Sequence, residues 1–321
     1  MIRRLFGLSL ALIAFGAACG GSTSGNGPPH SVVGAATATP QAQGCTPART
    51  HASGDFDQTI TVGGISRTYI LHVPAGYDGT KFAPVVLAFH GVAQTGRQML
   101  DYTRLGSLAD QRGFIAVAPD GTGIPSRWNS GKSAGEPNDV EFVRNLLATI
   151  SAKLCVDPDR AFAAGFDAGG GMSRVLACNL ADRIAAIGTV ASTSVQCIAN
   201  VPMIAFHGTA DPLVPFDGGP IAAQAGGGTL PPVRRSASEW SRALGCDGLP
   251  TISRPAASVE LSTFTRCQLG DGDVLLYTLL GGGHTWPGAA PSPDPTGGSA
   301  NVAIDATAVM WDFFVSHPLA H

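Results

Sequence analysis

The sequence predicts an α/β fold: one mostly parallel sheet, helices on both of its faces, and a β-hairpin in front. Three observations predict it. Apolar runs such as VVLAFHG (85–91) and FIAVAPDG (114–121) have the unbroken hydrophobicity of strands buried on both sides. Segments with helical spacing separate these runs. Strand and helix then alternate to the end of the chain, the pattern of parallel strands joined by crossover helices.

In chain order, residues 59–73 (TITVGGISRTYILHV) are two β-rich runs around Gly63-Gly64, which reads as a hairpin. After the strand at 85–91, Met99, Leu105, Leu108 and Ala109 share one face of a helix over 99–113, and Gly113 stops it. The strand at 114–121 follows. Asn138, with Glu141 three residues on, opens the next helix in a capping-box pattern. Val140, Val143, Leu147 and Ile150 form its apolar stripe. A strand at 161–166, a helix at 170–181, strands at 184–192 and 202–208, a helix at 236–244, a strand at 274–280 and a closing helix at 301–317 complete the pattern. The glycine-rich stretches 218–228 and 288–298 read as loops. Neither is a phosphate-binding loop, because no Lys-Ser/Thr pair or helix follows.

The chain has 321 residues, 44% hydrophobic and 13% charged, with a formal charge of −3. That composition suits a compact globular protein and gives no electrostatic reason to expect nucleic acid or an anionic membrane as partner. At the N-terminus, Arg3 and Arg4 precede the apolar run LFGLSLALIAFGAA, an export signal over 1–19 that is short for a membrane span. GAAC resembles a bacterial lipoprotein processing site with Cys19 as the lipidated residue, although Gly16 stands where such sites carry Leu; ordinary cleavage is the alternative. Either way the expected location is outside the cytoplasm. Residues 20–44 are Gly, Ser, Thr, Pro and Ala with almost no charge, a flexible linker. One domain is expected over 45–321. Leaving out Cys19, six of the seven cysteines remain. An even count in an exported chain points to disulfides, in any of 15 pairings. Cys246 and Cys267 flank a loop-rich insert and pair first; Cys178, in a helix, has the alternative reading of a buried thiol.

In open parallel sheets function gathers at the carboxyl ends of the strands. Those ends here carry His90, Asp167, His207 with Asp211 beyond it, and His284. The order of elbow residue, acid and histidine is that of the α/β-hydrolase fold. Gly165-Phe166-Asp167-Ala168-Gly169 has the form of its nucleophile elbow, where small neighbours permit a sharp turn into a helix. The roles follow: Asp167 at the elbow, Asp211 orienting His284, His284 as base and then acid, and the N–H groups of Val92 and Ala168 as oxyanion hole. Asp217 is a second choice for the acid. His90 and His207 organise the site rather than react. His72 reads as a structural strand residue, and His30, His51, His317 and His321 as bystanders. Trp128 and Trp286 are either walls of an acyl pocket or ordinary packing.

From Cys45 onward the chain resembles the exported polyhydroxybutyrate depolymerase and feruloyl esterase group, related to carbohydrate esterase family 1. The likeness rests on YILHVPAGYDG, AFHG, GFIAVAPDGTG, RWN, NDVEFV, CVDPDRAFAAGF, HGTADPLVPFDGG and GGGHTWPG, which span nearly the whole domain. It implies an α/β-hydrolase with a Ser-His-Asp triad, acting on acyl esters of polysaccharides or on short polyesters, with no metal or organic cofactor. The departure is Asp167, where members of the group carry Ser.

A carboxylate is comfortable at a helix N-terminus, by ~0.3–1 kcal/mol. As an ester nucleophile it is poor: the tetrahedral adduct expels the carboxylate before an alkoxide. Its charge also competes for the oxyanion hole. Two alternatives therefore stand beside ester hydrolysis. One is Asp-nucleophile chemistry on saturated carbon, as in dehalogenases and epoxide hydrolases, although no separate cap segment is visible. The other is a catalytically impaired scaffold that binds an ester or glycan. Asp167 or His284 could also activate water directly. Ser173, inside the following helix, and Ser192 and Ser194, in the next loop, are weak substitutes for the missing serine.

Overall fold

The computed structural model describes residues 44–129, 135–193, 199–220, 228–267, 273–289 and 295–319. The export signal, Cys19 and Ser194 lie outside the described residues, as does all but the last residue of the linker. Residues 42–321 form one compact unit. Among the described residues no helix is long and apolar enough to cross a membrane.

The hairpin comes first, β1 (Gly54–Val62) against β2 (Ile65–Val73). Its Gly63-Gly64 turn is in the left-handed region, with φ of 59° and 80°. Strands β3 (Ala83–Phe89) and β4 (Ile115–Pro119) follow, separated by helices α1 (Gly96–Thr103) and α2 (Leu105–Arg112). Then come α3 (Asp139–Lys153), β5 (Val156–Phe166), α4 (Ala168–Asn179), β6 (Ala186–Val190) and β7 (Met203–Gly208). A small ribbon, β8 (Gly219–Pro220) with β9 (Thr229–Leu230), leads to α5 (Val233–Ala243). The chain continues through β10 (Thr251–Ala256), β11 (Val259–Phe264), β12 (Val274–Leu279) and α6 (Ala306–Val315).

Among the described residues the main sheet has ten strands in the order β1-β2-β4-β3-β5-β6-β7-β12-β11-β10. Its centre, from β4 to β12, is parallel. Both edges are antiparallel: β1-β2 on one side, β11-β10 on the other. The strands β3, β4, β6 and β7 are buried at every position. Two apolar cores line the two faces, one around Phe142, Leu176 and Trp240, the other around Phe162, Trp311 and Phe314.

Two expectations are corrected. The stretch between Cys246 and Cys267 is not a loop-rich insert; it contains the β10–β11 hairpin. β10 (TISRPA) is exposed at five of its six positions, so it carries no hydrophobic pattern to read. The helix over 99–113 is two helices, broken at Arg104, which takes a left-handed φ of 55°. The break re-aims α2 onto β2, where Gly106 meets the His72 ring: a Cβ there would lie 3.1 Å from Nδ1. Gly113, with φ 75°, ends α2, and Asn138 caps α3 by accepting from Val140 and Glu141 N–H.

Cys45 pairs with Cys155, and Cys246 with Cys267. Cys178 is disulfide-bonded as well, not a buried thiol. The Cys45–Cys155 bond closes a span of 110 residues, so its main effect is on the unfolded chain. Replacing both cysteines by alanine is expected to lower stability by about 2–4 kcal/mol. Urea unfolding of the two proteins measures this, and an unchanged midpoint would contradict it.

Candidate active site

The site lies at the carboxyl ends of β3, β5, β7 and β12. Asp167 follows β5 directly and turns into α4 with φ 52° and ψ −119°. For a residue with a Cβ this is a strained backbone, of order 1–3 kcal/mol. The surrounding chain holds it there. Asp167 N–H donates to Val190 O on β6 at 3.0 Å, and Gly170 and Gly171 N–H donate to its carbonyl. The glycines are required by contact: a Cβ on Gly165 would lie 2.1 Å from Gly169 O, and one on Gly169 would lie 2.0 Å from Phe89 O.

The turn after β3 faces this elbow. Val92 N–H donates to Asp167 Oδ2 at 3.0 Å. Gly91 lets the carboxylate come close, since a Cβ there would be 3.2 Å from both Asp167 Cβ and Oδ2. Gln94 holds the turn by accepting Gly91 N–H on Oε1 at 3.0 Å. His90 locks it from behind: its Nδ1–H donates to Gly91 O at 2.7 Å, and Nε2 accepts Gly121 N–H at 2.9 Å. Burial pushes the His90 imidazole down, against the bond to Gly91, which favours this neutral bridging form. His90 thus has both ring nitrogens occupied.

Asp211, beyond β7, is buried and accepts His284 Nδ1–H at 2.9 Å through Oδ2. Its Oδ1 takes Leu213 and Val214 N–H at 2.9 and 2.8 Å. His207 Nε2–H donates to Val214 O at 2.8 Å and lies 3.4 Å from Asp211 Oδ2. Burial alone would raise the Asp211 carboxyl. The bonds from His207, His284 and Val214 N–H outweigh it and hold the group well below the usual carboxylate range. His284 Nε2 lies 3.7 Å from Asp167 Oδ1. Acid, imidazole and elbow carboxylate therefore form one line, with Oδ2 of the elbow seated on the Val92 N–H.

The other expected residues separate cleanly. Asp217 is exposed, and the carboxylate on His284 is that of Asp211. Trp128 packs edge-on against Phe89 and donates its indole N–H to His90 O at 2.8 Å, bracing the turn. Trp286 is 2% exposed, its indole N–H goes to Thr307 Oγ1, and with Met310 and Trp311 it lines a small internal cavity. Ser173 is buried in α4 with its hydroxyl donating to Gly169 O. Ser192 packs against Gly170, where a Cβ would come within 2.6 Å of it. His72 is held between Asp55 and Asp110, at 2.6 and 3.3 Å. Gln94 was missed. Nothing local in HGVAQTG marks its side chain as the acceptor for a backbone three residues back.

Comparison with known proteins bears on this geometry. A family model described as Esterase PHB depolymerase matches residues 67–213, from β2 through the turn carrying Asp211. Feruloyl esterase C of Emericella nidulans is 30% identical over 258 residues, covering 78% of this chain and 84% of that protein. The chain belongs to the feruloyl esterase family of PHB depolymerase-like esterases. Feruloyl esterase B of Piromyces equi is 33% identical over 230 residues, covering 68% of this chain but only 42% of that longer protein. An acetyl xylan esterase from Aspergillus awamori superposes with a TM-score of 0.56 at 16% identity, over 72% of this chain and 94% of that one. This last likeness shows the fold alone, the α/β-hydrolase sheet with its flanking helices.

Proposed function

We propose that this chain hydrolyses carboxylic esters, namely acyl esters of polysaccharides or short polyester chains, at the site of Asp167, Asp211 and His284. The observation that supports it is the Asp211–His284 bond, with the Val92 N–H aimed at the elbow opposite. Family membership supports the ester class, and the feruloyl esterase relatives favour acyl groups on plant polysaccharide.

Asp167 cannot run the usual covalent step. Its attack on an acyl carbon would return the carboxylate rather than expel an alkoxide. In our reading, water is the nucleophile. His284 Nε2 takes its proton as it attacks the acyl carbon, and Asp211 stabilises the imidazolium that forms. The substrate oxygen displaces Asp167 Oδ2 from the Val92 N–H, with the Ala168 N–H as second donor. His284 then returns the proton to the leaving alcohol. A general base of this kind is worth about 10²–10⁴-fold.

The test is hydrolysis of methyl ferulate and p-nitrophenyl acetate by the purified chain and by His284→Ala. Turnover above buffer, reduced about 10²-fold or more in the variant, is expected. A native rate equal to buffer, or one indifferent to His284, would sink the reading.

The same reading puts the protein outside the cytoplasm. Cys45–Cys155 and Cys246–Cys267 favour an oxidising compartment. Arg3, Arg4 and the apolar run behind them favour export, and Cys19 is the proposed point of lipid attachment to the bacterial envelope.

A further inference from the structure

The two oxygens of Asp167 are not equivalent. Oδ2 accepts the Val92 N–H at 3.0 Å, where an ester carbonyl would have to bind. Oδ1 faces His284 Nε2 at 3.7 Å, on a side chain that is 26% exposed. An ester must first evict Oδ2 from the Val92 N–H. A saturated carbon need not, because its displacement puts no charge on an acyl oxygen. The turn that seats the carboxylate exposes an apolar side chain next to it, that of Val92. Val92 is 43% exposed, and Ile124 is fully exposed on a loop that docks on the same turn through Ala93 N–H to Ser126 O.

We propose that Asp167 is also an alkyl acceptor, displacing halide from small primary alkyl halides, and that His284 then hydrolyses the aspartyl ester so formed. In the first step an Oδ1 lone pair forms the O–C bond and the carbon–halogen bond breaks, its electrons leaving with the halide. This yields an alkyl ester whose carbonyl oxygen is Oδ2, already on the Val92 N–H. The rest of the site then works as an esterase on an ester made by the protein itself. His284 Nε2 takes a proton from water, and the hydroxide attacks Cγ of Asp167. Charge develops on Oδ2 against the Val92 N–H. The bond from Cγ to the alkylated oxygen breaks, and the alcohol leaves with the proton held by His284. Overall, alkyl halide and water become alcohol, halide and a proton. Asp211 holds His284 in the tautomer this requires.

The two oxygens explain why a carboxylate suits this elbow. It has one oxygen for the hole and one for attack, and a serine has only one in all. The proposal is independent of activity on external esters, since it uses a substrate with no acyl group.

The test uses full-length protein and n-butyl bromide. Native protein is expected to release bromide continuously, and Asp167→Asn to release it at the buffer rate. His284→Ala is expected to release one bromide per chain and keep a butyl group on Asp167, read by mass spectrometry of the peptide containing it. His284→Gln serves if the alanine variant fails to fold. In water carrying the heavy oxygen isotope, one native turnover should place the label in the Asp167 carboxylate before it reaches butanol. Bromide release at the buffer rate from folded native protein, or a butyl group on any other side chain, overturns the proposal. Neither result touches the ester assay, so the two readings fail separately.

Discussion

Replacing Asp167 by serine is expected to raise kcat/KM on methyl ferulate by about 10³-fold or more. Two obstacles leave together. The first is the charge in the hole: Oδ2 occupies the Val92 N–H, and one such donor is worth about 10²–10³-fold when it meets an oxyanion instead. The second is the lost covalent route, since a serine alkoxide is a nucleophile that the acyl group does not readily expel. The serine oxygen would stand roughly where Asp167 Cγ is now, on the His284 Nε2 side of the elbow. The backbone need not move, because β6, Gly165 and Gly169 set its strained turn rather than the carboxylate. Stability should change by no more than about 1 kcal/mol, the scale of a carboxylate at a helix N-terminus. Steady-state kinetics on the two proteins decide. A folded Asp167→Ser protein no faster than native would mean that the hole or the base is not set up for acyl transfer.

The second large effect is at Asp211. Asp211→Asn in the Asp167→Ser background is expected to cost about 10³–10⁴-fold in kcat while leaving KM within a few-fold. Asparagine keeps the shape but loses the charge that stabilises the His284 imidazolium, and its amide turns the imidazole toward the wrong tautomer. The native carboxylate is held well below its ordinary range by bonds that overcome its burial. Its stabilising contribution is therefore complete above the unfolded carboxyl range near pH ~4 and fades as pH falls below it. Thermal melts from neutral to acid pH should show native protein losing more stability over that fall than Asp211→Asn. A loss of less than tenfold in kcat would show that His284 is oriented by something else.

What the sequence disclosed follows from which residues see one neighbour and which see many. The strands β3, β4, β6 and β7 are buried throughout, so their apolar runs stand out. Asp211 and His284 were legible because chain order and strand ends bring an acid and a histidine together in this topology. Trp128 and Trp286 looked alike in the sequence and differ only in what they touch, His90 O for one and Thr307 for the other. The break at Arg104 was hidden because the apolar spacing continues across it. Gln94 was hidden because its role is a bond to a backbone whose turn it helps to make. The seating of Asp167 Oδ2 on Val92 N–H joins residues 75 apart, beyond any local pattern.

The sheet's outer edges have a consequence for how copies of this protein meet. A bare strand edge invites another chain to extend it. At one side β10 offers Pro255, which has no N–H to give, Arg254 beside it, and a register shift between Ser253 and Ala256. At the other, β1 turns Asp55 and Asp57 outward, and Asp57 is 89% exposed beside Arg97. Neither edge is a flat, uncharged template. Among the described residues both edges are guarded in this way, and concentrating the protein should not make the sheet grow by strand-to-strand polymerisation.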